Sequence, residues 1–114
     1  MSRKVKKPWG SELIWAETNK YAGKILTIRG GHKLSRQYHV KKEETIFVLY
    51  GTLVVEEGKD DNIIKHKLTK GQTFHVKPGM VHRFCANFGD VDIIEVSTSE
   101  LDDVVRIEDD YSRN

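Results

Sequence analysis

The chain carries a single cysteine, Cys85, so no disulfide can form within it, and a reducing cytoplasm is the expected compartment. Nothing next to that thiol marks it as activated, and a small core residue is its expected role. No apolar run approaches the ~18 residues of a membrane-spanning helix, which excludes a membrane as partner on that route. No signal-peptide hydrophobic stretch follows the basic start MSRKVKK. One sign of charge does not dominate either. The net is +2 with both signs interspersed, which gives no case for nucleic acid. Helical periodicity sustained over three turns is missing from the first hundred residues, as are linkers, low-complexity segments and internal repeats. With 114 residues the chain suits one domain, 1–114, with a loose basic N-terminus (1–7) and an acidic C-terminal tail (about 102–114).

What is present is a series of short runs rich in Ile, Val, Phe, Tyr and Thr, separated by Gly, Asn and Asp. Strands are predicted over 12–17, 23–29, 35–40, 45–50, 52–57, 63–68, 73–76, 82–87 and 92–97. Many short strands at regular spacing predict an all-β sandwich or barrel. The stretch LDDVVRIEDDYSRN that ends the chain reads as a final strand or as a short turn with a loose tail.

Polar residues interrupt this pattern at chosen places. Side chains alternate across a strand, so Gln37 and His39 share a face. If that face is the interior, two polar side chains sit in a core, where each needs a partner or a ligand. A histidine nitrogen, a carboxylate and an amide oxygen together suit a divalent cation. Glu44 starts the next strand and can face the same interior. His82 follows the turn at Pro78–Gly79 and completes a set of two nitrogens and two oxygens. His75 flanks the same turn and is its rival, and Glu43 competes with Glu44. Taken singly, each of these is as readily a surface or core residue, as expected for His32, His66 and His75; the spacing is what joins them.

That spacing resembles the cupin superfamily. Its first motif is matched by Gly31, five residues, Gln37-x-His39, four residues, Glu44, six residues and Gly51, with glutamine for the first histidine. Gly71, Pro78–Gly79, His82 and Asn87 look like the second motif, with small shifts in spacing. The chain further resembles the cupin domain of type II mannose-6-phosphate isomerases, often fused to a mannose-1-phosphate guanylyltransferase. The resemblance rests on Pro8-Trp9-Gly10, Lys24, Leu34-Ser35-x-Gln37-x-His39, Val81-His82-Arg83, Ile94-Glu95-Val96 and the stretch DDVVRIEDDYSR. It runs from about Pro8 to Arg113. The chain departs from the family at Lys41, Lys42, Thr45 and Ile46, where the family is rich in His and Arg, and at Ser112.

The resemblance implies a cupin-type double-stranded β-helix (jelly-roll barrel) and a metal-dependent aldose–ketose isomerase acting on a sugar phosphate. The metal would be a divalent ion (Mn, Zn, Co, Ni or Fe) on Gln37, His39, Glu44 and His82. Such a reaction needs a Lewis acid at the sugar oxygens, a base at the carbon-bound proton, and cations for the phosphate. Glu95, an acid amid the apolar neighbours of VDIIEVS, is the expected base, with Lys24 as a second catalytic candidate. Lys24, Arg106, Arg113 and Arg83 are candidates for the phosphate, and Tyr111 would reach a ligand if the tail folds over the barrel mouth. The alternatives are a metal cupin of another reaction class, an oxygenase or lyase on a small acid, and a non-catalytic sugar-binding cupin. Exposed edge strands predict a homodimer, with the segment around Trp9–Trp15 as interface.

Overall fold

The computed structural model describes residues 2–113, so Met1 and Asn114, the extreme ends of the two expected loose segments, lie outside the described residues. Eleven strands are present: β1 (Arg3–Lys7), β2 (Gly10–Glu17), β3 (Ala22–Ile28), β4 (Arg36–Tyr38), β5 (Glu44–Tyr50), β6 (Leu53–Glu57), β7 (Ile64–Leu68), β8 (Thr73–Val76), β9 (His82–Cys85), β10 (Val91–Ser97) and β11 (Val105–Glu108). They form a six-stranded sheet in the order β1-β2-β3-β10-β5-β8 and a five-stranded sheet in the order β11-β4-β9-β6-β7. All pairings are antiparallel. Two antiparallel sheets facing one another across a shared core make the all-β jelly-roll expected from the strand pattern.

Alternation decides what faces inward. On β3 the buried positions include Ala22, Lys24, Leu26 and Ile28; on β10 they are Val91, Ile93, Glu95 and Ser97. Lys42 continues inward the series of Glu44, Ile46 and Val48 on β5. Register places Ile93 opposite Leu26 and Val48, Glu95 opposite Lys24 and Ile46, and Ser97 opposite Ala22 and Glu44. The apolar core, including Trp9, Leu26, Ile28, Ile46, Val55, Phe84 and Ile93, fills one half of the interior. Gly51 closes β5 at φ 82°, and a Cβ there would stand 2.3 Å from the Asp90 carbonyl oxygen, so only glycine fits.

Two expectations are corrected. Residues 3–7 are not a loose tail but a paired edge strand, because the β2 ladder supplies partners for a sequence with a single apolar residue, Val5. The acidic tail is not loose either. β11 pairs with β4, and the turn after it is held by Asp109, whose carboxylate accepts from the Arg113 main-chain N–H at 2.8 Å and its Nε–H at 2.9 Å.

Candidate metal centre

Three side chains far apart in sequence meet at the polar end of the barrel. His39 Nε2 lies 3.3 Å from Glu44 Oε1, and His82 Nε2 lies 3.5 Å from the same oxygen. All three residues are buried, and their ligand atoms lie within 4.8 Å of one another. Local structure explains the convergence. Pro78 and Gly79 occupy the centre of a turn closed by the Met80 N–H donating to the Lys77 carbonyl at 3.1 Å, with Gly79 at φ 82°. The Gly79 N–H donates to the His39 carbonyl at 2.7 Å, which ties the turn that delivers His82 to the backbone of His39.

The second ring nitrogen of each histidine settles what the first presents. His39 Nδ1 is 2.5 Å from the Asp103 carbonyl oxygen, and His82 Nδ1 is 2.9 Å from that of Met80. A carbonyl only accepts, so each ring donates from Nδ1, and a neutral ring then carries its lone pair on Nε2. Two such lone pairs face a carboxylate oxygen, and His82 Nε2 has no hydrogen-bond partner. Three electron-pair donors facing one another in a buried pocket call for a cation between them. The 3.3 and 3.5 Å separations about Glu44 Oε1 are close to the ~3.0–3.4 Å expected between ligands bound at about 2.1 Å to one ion. The residues therefore fit a divalent metal.

Gln37 lines the same cavity, opposite His82 in register, and its Oε1 accepts from the Ser35 hydroxyl at 2.6 Å, which leaves one lone pair free. His75 is set aside as a ligand here: it is half exposed and faces Glu43, with Nε2 2.5 Å from its carboxylate. That contact also takes Glu43 out of the interior.

The electrostatics around the three donors are strongly asymmetric. Burial alone would raise Glu44, but the hydrogen bonds that a proton on His39 or His82 Nε2 would donate to it, together with the Lys42 ammonium, outweigh burial and hold the carboxyl well below the usual range. Glu95 moves the other way: burial, and then the negative charge of Glu44, push it up to about 8. Lys42 sits between them, buried, with Nζ 3.1 Å from Glu95 Oε2 and 3.4 Å from Glu44 Oε2. Burial works against its charge, yet Glu95 and Glu44 prevail and raise it. Lys42 stands out in the sequence only as a departure from the family pattern; its inward alternation with Glu44 is the signal that locates it.

Asp103 is a second residue missed by sequence reasoning. Its carbonyl orients His39, and its carboxylate accepts from the backbone N–H groups of Val40 (3.0 Å), Lys41 (2.6 Å) and Lys42 (2.9 Å). Those amides, Lys41 first, hold it down to about 2.

Gln37, His39 and Glu44 line a cavity of about 600 Å³, which Lys24, Glu95, Arg106 and Arg113 also line. Lys24 pairs with Glu12 at 3.4 Å. Two expected ligand contacts are elsewhere. Arg83 points away from the cavity because it alternates with the inward His82; it is pinned to the Leu34 carbonyl at 2.8 Å and to Asp110 at 2.6 Å. Tyr111 packs against the core instead of lining the cavity, with its hydroxyl 2.6 Å from His32 Nδ1.

Comparison with known proteins agrees with this picture. The family model described as mannose-6-phosphate isomerase C-terminal matches residues 1–109. The xanthan biosynthesis protein XanB of Xanthomonas campestris pv. campestris is 33% identical over 97% of this chain and 24% of its own length. The mannose-1-phosphate guanylyltransferase ManC of Salmonella typhimurium is 32% identical over 99% of this chain and 24% of its own. The chain thus spans about a quarter of the length of these curated relatives. Among solved structures, a conserved protein with a double-stranded β-helix domain from Klebsiella pneumoniae superposes with a TM-score of 0.72 at 18% identity, covering 91% of this chain and 84% of that one, a likeness of fold alone. With fold, motif residues and family model in agreement, the chain belongs to the mannose-6-phosphate isomerase C-terminal family, a cupin domain.

Proposed function

We propose that this domain is a metal-dependent isomerase of sugar phosphates, moving a proton between C1 and C2 of a hexose phosphate in the manner of a mannose-6-phosphate isomerase. The observation that carries the reading is the pairing, within one buried site, of a three-donor cation seat with a second carboxyl whose proton affinity is raised. His39, Glu44 and His82 would hold the divalent ion (Mn, Zn, Co, Ni or Fe), with Gln37 as fourth ligand, and the ion would supply Lewis acidity toward the sugar oxygens.

Glu95 is the residue for the proton. A carboxyl raised to about 8 holds a proton near neutral pH and releases it at little cost, which suits a group that takes a proton from one carbon and returns it to the next. Lys42, 3.1 Å from Glu95 Oε2, keeps that carboxyl in place and offsets the charge it gains on ionisation. Lys24, directly across the ladder, supplies a further positive charge on the same side. Arg106 and Arg113 at the cavity wall favour an anionic substrate. Cys85 takes no part: burial, then the charge of Glu56, push its thiol up to about 11. A buried, unreactive thiol suits the cytoplasm we assign to the protein. The homodimer belongs to the same reading, supported by the exposed Trp15, Phe47 and Val96.

The test is turnover of mannose 6-phosphate by protein loaded with each of the five metals, alongside Glu95→Gln. The variant is expected to keep its metal and lose about 10²–10⁴ in rate, the usual share of general acid–base catalysis. Metal binding with no turnover in the wild type would overturn the isomerase reading and leave a sugar-binding cupin.

A further inference from the structure

The cavity mouth lies between two edge strands. β1 ends the larger sheet and β11 ends the smaller one, and both contribute side chains to the same cavity. Six cations line it: Arg3, Lys7, Lys24, Lys42, Arg106 and Arg113. Four are engaged by carboxylates. Arg3 meets Glu17 at 3.0 Å, Lys24 meets Glu12 at 3.4 Å, Lys42 meets Glu95 at 3.1 Å, and Arg113 meets Asp109 at 2.9 Å. Lys7 and Arg106 have no carboxylate within ion-pair distance among the described residues. Arg106 Nη1 reaches only the Arg113 carbonyl, at 3.4 Å, and its Nε is buried without any hydrogen-bond partner.

A buried guanidinium N–H left without an acceptor is a costly arrangement unless something else supplies one. Inward-pointing cations do protect edge strands from pairing with other chains, and that accounts for a lysine on β1. It does not account for the orphaned Nε of Arg106. An anion in the mouth accounts for both. We propose that Lys7 of β1 and Arg106 of β11 together hold the phosphoryl group of the ligand, so that the basic N-terminal segment is a wall of the binding site. Alternation supports the choice within the segment: Arg3, Val5 and Lys7 face the cavity, while Lys4 and Lys6 face solvent. The identity of the ligand as a sugar phosphate rests on the function proposed above; the anion seat does not.

Isothermal titration of the metal-loaded full chain with inorganic phosphate, and separately with mannose 6-phosphate, tests this in the wild type and in Lys7→Gln, Arg106→Gln and Lys6→Gln. Lys7→Gln and Arg106→Gln are each expected to weaken both ligands at least tenfold, with metal content and melting temperature retained, and Lys6→Gln to leave both unchanged. Equal weakening by Lys6→Gln and Lys7→Gln would reduce the effect to general surface charge and overturn the assignment. So would the absence of phosphate binding in the wild type. The two proposals fail separately. Lys7-dependent phosphate binding without isomerisation refutes the function and keeps the anion seat; isomerisation with an unchanged KM in Lys7→Gln refutes the seat and keeps the function.

Discussion

The two halves of the barrel interior use the same strands for opposite purposes. Toward one end, Ile28 and Leu26 on β3, Val48 and Ile46 on β5, and Val91 and Ile93 on β10 face one another. Two or four residues further along the same inward alternation stand Lys24, Glu44, Lys42, Glu95 and Ser97. The ladder does not change; only the chemistry hung on it does. Each large apolar side chain in the first half contributes roughly 1.5–3 kcal/mol by leaving water. The second half buries charges that cost desolvation and recover it only through one another. The lesson is a division of labour: one end of each strand stabilises the geometry that the other end strains to keep.

The strongest test of that division is to change each half alone. Replacing His39 and His82 together by alanine should abolish stoichiometric metal binding, read by metal analysis, while the metal-free melting temperature moves little. Undiminished metal in the double variant would remove the centre as drawn. Ile93→Ala in the apolar half should do the reverse, lowering unfolding free energy by about 2–5 kcal/mol in denaturant titration and leaving metal stoichiometry intact. A loss of metal affinity as large as the loss of stability would show that the halves are one unit.

The finest effect concerns Asp103, whose carboxylate straps the backbone of residues 40–42 to the segment ahead of β11. Asp103 is held at about 2, below its ordinary value, so the folded protein resists protonating it. Its contribution to stability is present above about pH 4 and fades as pH falls toward 2. Asp103→Asn should melt below the wild type at neutral pH, and the gap should close on acidification through that window. The carbonyl that orients His39 is a main-chain atom and survives this substitution, so metal stoichiometry should be retained. A gap that stays constant with pH would assign the effect to something other than this carboxylate.

Much of this was legible beforehand, for a specific reason. Strands with period-2 alternation, such as 45–50, 73–76 and 92–97, lie within a residue of their observed bounds because apolar burial drives them. The candidate metal donors His39, Glu44 and His82 stood out because polar residues break that alternation. β1 was illegible because RKVKK has one apolar residue, and its partner strand, not its own composition, makes it extended. The roles of Asp103 escaped because they run through main-chain atoms of residues more than sixty positions away. Arg83 could have been excluded by its alternation with His82, and Lys42 included by its alternation with Glu44.

The strap at Asp103 has a consequence for biosynthesis. His39 emerges from the ribosome sixty-four residues ahead of the carbonyl that orients its ring. Until that segment arrives, the nascent barrel can collapse around its apolar end but cannot present an aligned imidazole, so any metal loading must wait until residue 103 has been made.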